Sequence, residues 1–234
     1  MRRRLLLAVL GGVVLAGCAA PSLPPVELEA TRPADFPESS YRQAASAGHV
    51  VFRIDPATSI AVIHVHRGGS LARLGHEHVV ASHDVAGYID RSAARADLYV
   101  GLERLAVDEP ALRRQAGLDA ALSEDAIAGT RRNMLTRVLD AARYPFAVLH
   151  VTGLVDDGPM RIAHVRLTLH GVTRALDVPV AFEMAMHDLG IAGRFTIRQS
   201  DFGIAPLSIL GGAVQVADAV DVDFRLRARS VAAP

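Results

Sequence analysis

Five of the chain's ten histidines, His64, His66, His76, His78 and His83, crowd between positions 64 and 83 of 234. On a strand, His64 and His66 share one face, and His76 and His78 share another if that segment is extended. Two such pairs set side by side in a hairpin present four imidazole nitrogens, a ligand set for Zn²⁺ or Cu²⁺. A haem held by two axial histidines is a weaker variant. The plainer reading makes these histidines solvent-facing strand and turn residues. Nucleophilic chemistry is poorly served. Ser70 sits in Gly68-Gly69-Ser70-Leu71-Ala72, which lacks the final glycine of a nucleophile elbow. His76-Glu77-His78 lacks the helical His-Glu-x-x-His spacing of zinc proteases, and also the aspartate of a metallo-β-lactamase site. Ser200-Asp201 beside a histidine would suggest nucleophilic chemistry, but the sequence supplies no geometry for it, and no glycine-rich phosphate loop is present. No catalytic residue is assigned, and the chain is expected not to be an enzyme.

One sulfur carries a different chemistry. Cys18 is the only cysteine, and it closes the run Leu15-Ala16-Gly17-Cys18. Arg2, Arg3 and Arg4 precede an apolar stretch from Leu5 to Val14, the cationic and hydrophobic regions of a secretory signal. The stretch is shorter than the roughly 20 apolar residues of a spanning helix. Leu-Ala-Gly-Cys resembles a lipobox, which implies a diacylglycerol on the Cys18 thiol and cleavage after Gly17. Residues 1–18 are thus expected to be a lipoprotein signal, and the mature chain a membrane-anchored, exported protein. Ala19 is not the aspartate that such lipoproteins carry when retained in an inner membrane. The expected location is the periplasmic side of the outer membrane.

Those groups need a scaffold without a disulfide, since no second cysteine exists. Basic and acidic residues balance at 25 each, which argues against a nucleic-acid partner held by a cationic field. Aromatics are 5% and Trp is absent, so the core must be aliphatic. Residues 19–48, with Pro21, Pro24, Pro25, Pro33 and Pro37, read as a semi-rigid spacer, with room for a short helix near Glu38 to Ala47. The domain is expected over 49–230.

From Val50 onward the pattern is that of strands. Val220, Val222, Phe224, Leu226 and Ala228 alternate with Asp221, Asp223, Arg225, Arg227 and Arg229. Val165, Leu167 and Leu169 alternate likewise, as do Leu176, Val178, Val180 and Phe182, with Gly171 in the turn between them. Ile191, Gly193, Phe195 and Ile197 form another apolar face, and shorter runs precede them. Between Glu109 and Arg143 the spacing turns helical, opened by Ser123-Glu124-Asp125 and stopped by Tyr144-Pro145. The fold class is all-β with a helical insert. About eight strands with one apolar face each are satisfied by an extended antiparallel β-barrel, with a two-sheet sandwich as the competing solution. In a barrel, Val165, Leu167, Val178, Val180, Phe195, Ile197, Val222 and Phe224 line the lumen. They either fill it as core or leave room for a ligand.

In order along the chain, several segments resemble the YceI-like polyisoprenoid-binding proteins. They are Ile54-Asp55-Pro56, Leu74-Gly75-His76-Glu77-His78, Val85-Ala86-Gly87-Tyr88-Ile89, Tyr144-Pro145, Leu169-His170-Gly171-Val172-Thr173-Arg174, Ser200-Asp201-Phe202-Gly203-Ile204 and Val220 through Ala228. The resemblance implies a lipocalin-like barrel holding an isoprenoid chain, a quinone or polyprenyl lipid, as its partner. It also implies an exported, non-catalytic carrier or sensor. The tail would lie along the apolar face, with the headgroup near His76, His78 or Ser200-Asp201. Two features depart from the family pattern, the lipobox and the arginine-rich insert with Arg113, Arg114, Arg131, Arg132 and Arg137. The alternatives are a metal-handling protein using His64, His66, His76 and His78, and an interaction module with a filled barrel. A homodimer is left open.

Overall fold

The structure, a computed structural model, describes residues 31–231 apart from 119, 158, 159 and 186. Cys18, the signal segment and the first part of the spacer lie outside the described residues. In chain order the elements are α1 (Glu38–Ser46), β1 (Val51–Ile54), β2 (Ile60–Gly68), β3 (His78–Ser82), β4 (Ala86–Asp90), β5 (Arg95–Gly101) and β6 (Ala106–Val107). They continue with α2 (Pro110–Gln115), α3 (Glu124–Asn133), β7 (Phe146–Asp157), β8 (Met160–Leu169), β9 (Val172–Met184), β10 (Asp188–Arg198), β11 (Ser208–Ile209) and β12 (Val214–Ser230).

Eight of these strands form a closed antiparallel ring in the order β1-β4-β5-β7-β8-β9-β10-β12, sealed by pairing of β12 with β1. Closure removes the sheet edges that a sandwich would leave exposed. β1 and β2 are two pieces of one wall. A tight turn over Pro56–Thr58, capped by the Asp55 side chain on the Ala57 N–H at 3.2 Å, offsets them along β12. β3 and β6 extend the ring on the far side of β2.

Alternation puts the apolar series inside, as expected from period two. Ala163, Val165 and Leu167 of β8 are buried, while His164 and Arg166 between them are exposed. The β8–β9 hairpin turns on His170 and Gly171, both at positive φ (51° and 74°), which is the two-residue turn whose twist matches paired strands. His170 is therefore a turn residue, its ring 4.7 Å from that of Tyr144. Gly193 lies opposite Phe224, and a Cβ there would meet the Phe224 ring at 2.6 Å. Its absence makes room for the Phe224 ring.

The insert between β5 and β7 closes one end. Ser123 caps α3 through Oγ on the Ala126 N–H (3.3 Å), and a single wide turn over Met134–Val138 follows. Leu102, Leu105, Leu135 and Ala141 pack from the insert onto Val80 of β3. On the outside, α1 is more than a spacer. Tyr41 is fully buried, stacks on Tyr88 at 5.5 Å and donates its hydroxyl to Asp97 Oδ2 at 2.7 Å. Residues 38–46 of the expected spacer are thus part of the folded unit, because Tyr41, Ala45, Val51 and Tyr88 make a small apolar cluster of their own.

Candidate functional site

The ring encloses a cavity of about 1190 Å³. All eight residues expected inside, Val165, Leu167, Val178, Val180, Phe195, Ile197, Val222 and Phe224, line it. β2, β3, β5 and β7 complete the wall with Ile63, Val65, Val80, Leu98, Val100 and Leu149. The barrel is not filled by its own side chains, which removes the filled-barrel alternative.

The two ends of the cavity differ. At the insert end, Met134, Val138, Leu139, Ile204 and Leu207 line it and are buried or half-buried. At the other, Arg91, Ala94, Asp156, Met160, Arg161 and Met184 line it and are all exposed. The lumen is thus capped by the insert and open among the β4–β5, β7–β8 and β9–β10 turns. Met160 (41% exposed) and Met184 (52%) carry the apolar lining out to solvent.

His78, with Thr130, Asn133 and Gln199, interrupts the hydrocarbon near the capped end. His78 opens β3, lines the cavity, and has Nδ1 2.6 Å from Asp108 Oδ2. Asp108 is 1% exposed and held at φ 55°. Its Oδ1 accepts from Arg113 Nη1 (2.7 Å) and from the Val79 N–H (3.1 Å). Arg113 is buried too, and it also donates to the carbonyls of Glu77 (3.0 Å) and Ala120 (2.9 Å). Burial alone would push the Asp108 carboxyl up, but the hydrogen bonds from His78, Arg113 and Val79 hold it below the usual carboxylate value.

A family model described as the YceI-like domain matches residues 52–228. The chain belongs to the YceI-like family. Among solved structures, a polyisoprenoid-binding domain from Saccharophagus degradans implicated in plant cell wall breakdown is similar at 15% identity and a TM-score of 0.56. That match covers 78% of this chain and 100% of the other. BcnA of Burkholderia cenocepacia is similar at 16% identity and a TM-score of 0.50, covering 74% of this chain and 98% of the other. At those identities the likeness is one of fold. No curated protein is similar enough to the chain to count as a relative.

Within this YceI-like barrel the other expected polar residues fall elsewhere. His76 borders a small outer recess with Arg67, Glu77 and Leu118, not the lumen. Asp201 is exposed on the short turn Gln199–Phe202. Ser200 donates Oγ to Asp218 Oδ2 at 2.7 Å, and its N–H donates to Oδ1 at 2.8 Å. That pair braces the irregularity in β12 between Val216 and Val220. Neither Ser200 nor Asp201 lines the cavity, because the turn carries them outward.

The four-histidine metal set is not assembled either. His64 and His66 face outward, where Nε2 of each meets a carboxylate on β12, Asp223 at 3.2 Å and Asp221 at 3.0 Å. His78 faces inward and His76 lies in the outer recess. Among the described residues no three His, Cys, Asp or Glu side chains converge as metal ligands. The crowding of histidines has a different cause. His49, His64, His66, His78, His83, His150 and His164 each lie beside an Asp or Glu. Asp108 and Arg113 were missed from sequence. Their only signal is an ion-pair spacing inside a segment dominated by helix-start residues.

Proposed function

We propose that this YceI-like barrel binds an isoprenoid lipid, a quinone or polyprenyl chain, in its lumen and catalyses no reaction on it. The observation that carries the reading is the 1190 Å³ cavity with its hydrocarbon walls. Small-molecule pockets fall at roughly 300–1,000 Å³, so this volume suits a longer guest. Each methylene transferred into it gains about 0.8 kcal/mol. A solved relative in fold is a polyisoprenoid-binding domain, which supports the same class of ligand here. The chain is further proposed to work outside the cytoplasm, held by an acylated Cys18 on the periplasmic side of the outer membrane. The sequence Leu15-Ala16-Gly17-Cys18 supports that anchor. The exposed Met160 and Met184 support a mouth that exchanges lipid with a bilayer. Native mass spectrometry of the full chain, followed by organic extraction, tests the reading. A co-purifying ladder spaced by isoprene units is expected. A bare protein that also takes up no added polyprenol would overturn it.

A further inference from the structure

The capped end of the lumen holds a hydrogen-bonding group whose direction is set. Asp108 has both carboxylate oxygens engaged as acceptors, by Arg113 Nη1, the Val79 N–H and His78 Nδ1. A carboxylate paired with a guanidinium offers no proton, so the proton between Asp108 and His78 sits on Nδ1. Arg113 supplies a charge opposite Asp108, and three of its five N–H donors go to Asp108 and to the Glu77 and Ala120 carbonyls. In its neutral form the His78 imidazole therefore carries its proton on Nδ1 and its lone pair on Nε2. Among the described residues Nε2 carries no hydrogen bond, while His78 lines the cavity with its side chain 18% exposed. Val80, Leu102, Leu105 and Met134 line the same end. Among the described residues lining that end there is no cation to meet an anionic group. Thr130, Asn133 and Gln199 line it as well, but a hydroxyl or amide both donates and accepts, so none discriminates between donor and acceptor headgroups.

We propose that His78 selects isoprenoid lipids whose polar end carries a hydroxyl, polyprenols and reduced quinols, over those ending in acceptors alone, such as prenyl ethers and oxidised quinones. A hydroxyl donates to Nε2. An acceptor-only end sets its own lone pairs against that of His78 and leaves both unpaired in a dry cavity, a loss of about tenfold in affinity. The inference rests on the lipid-binding reading.

Three probes separate it from that reading: geranylgeraniol, its methyl ether, and the corresponding hydrocarbon, each titrated against the full chain at about pH 8, where imidazole is unprotonated. The ether keeps the tail and loses only the donor. Expected is about tenfold tighter binding of the alcohol, with alcohol and ether equal in His78→Phe. A companion measurement needs no variant: the imidazole ¹⁵N resonance of His78 Nε2 should shift with the alcohol and stay in place with the ether. Equal or tighter binding of the ether by the unaltered protein overturns the selectivity and leaves the lipid reading standing. No binding of any of the three overturns both.

Discussion

Two buried aspartates, one near each end of the barrel, have almost the same neighbours and different uses. Asp90, at the end of β4 by the open mouth, accepts from His49 Nδ1 (2.9 Å) and the Ala93 N–H (3.1 Å), with Arg95 Nε at 3.4 Å. Asp108, at the capped end, accepts from His78, the Val79 N–H and Arg113. Both side chains are 0% exposed. Burial pushes both carboxyls up, and in each the histidine and backbone hydrogen bonds outweigh it and hold the carboxyl low. The difference lies in direction. His49 is 43% exposed and Arg95 36%, so the first cluster, although Asp90 and Arg95 border the cavity, opens to water at the mouth and clasps the segment after α1 to β4. Arg113 is 8% exposed and His78 turns into the lumen, so the second cluster addresses whatever occupies the cavity. The same trio of side chains is a clasp at the wet mouth and a recognition group at the capped end.

The contrast is open to breakage, beginning with stability. Asp108→Ala strands a buried guanidinium and should cost about 3–5 kcal/mol in denaturant unfolding. Asp90→Ala should cost less, about 1–3 kcal/mol, because Arg95 and His49 can turn to water. Equal losses would show that burial of the arginine does not distinguish the two ends. Acid sharpens the same point. Since both folded carboxyls lie below their unfolded value, their stabilisation is complete above the ordinary carboxylate range and fades as pH falls through the lowered one. Asp108→Asn should flatten that acid limb of the stability curve.

Next in size is the lumen itself. Val222→Trp places an indole where two or three methylenes of guest would lie, and should weaken polyprenol binding by about 2 kcal/mol, some thirtyfold, with the far-UV spectrum unchanged. Retained affinity would mean the guest does not use this stretch of wall. The smallest effect belongs to the mouth. Met160→Ser with Met184→Ser should leave stability within about 0.5 kcal/mol while slowing uptake of polyprenol from vesicles. Unchanged uptake would show that lipid enters elsewhere.

Period two made the barrel legible wherever one face met water. β8, β9, β10 and β12 all announce themselves because outward His, Arg, Asp and Thr alternate with the apolar series. β3 did not, since its Val79-Val80-Ala81 is buried on both faces, inside by the lumen and outside by neighbouring elements. An apolar run without alternation carries no face. The eight lumen residues followed from pattern alone. The polar centre did not, because His78 and Asp108 meet only through tertiary structure, and Arg113 read as one more cation in a basic insert. Pairing His78 with His76 was the natural sequence argument. Strand β3 begins only at His78, so the extended geometry that would align the two is absent.

The ring is sealed by its first strand against its last, with Phe52 opposite Ser230, while β12 also carries β10 along its other edge. No shorter piece of the chain can therefore shut the barrel. Contacts so distant in sequence form slowly. Locking must wait until Val214–Ser230 has been synthesised, so the barrel closes only when the whole domain is available at once.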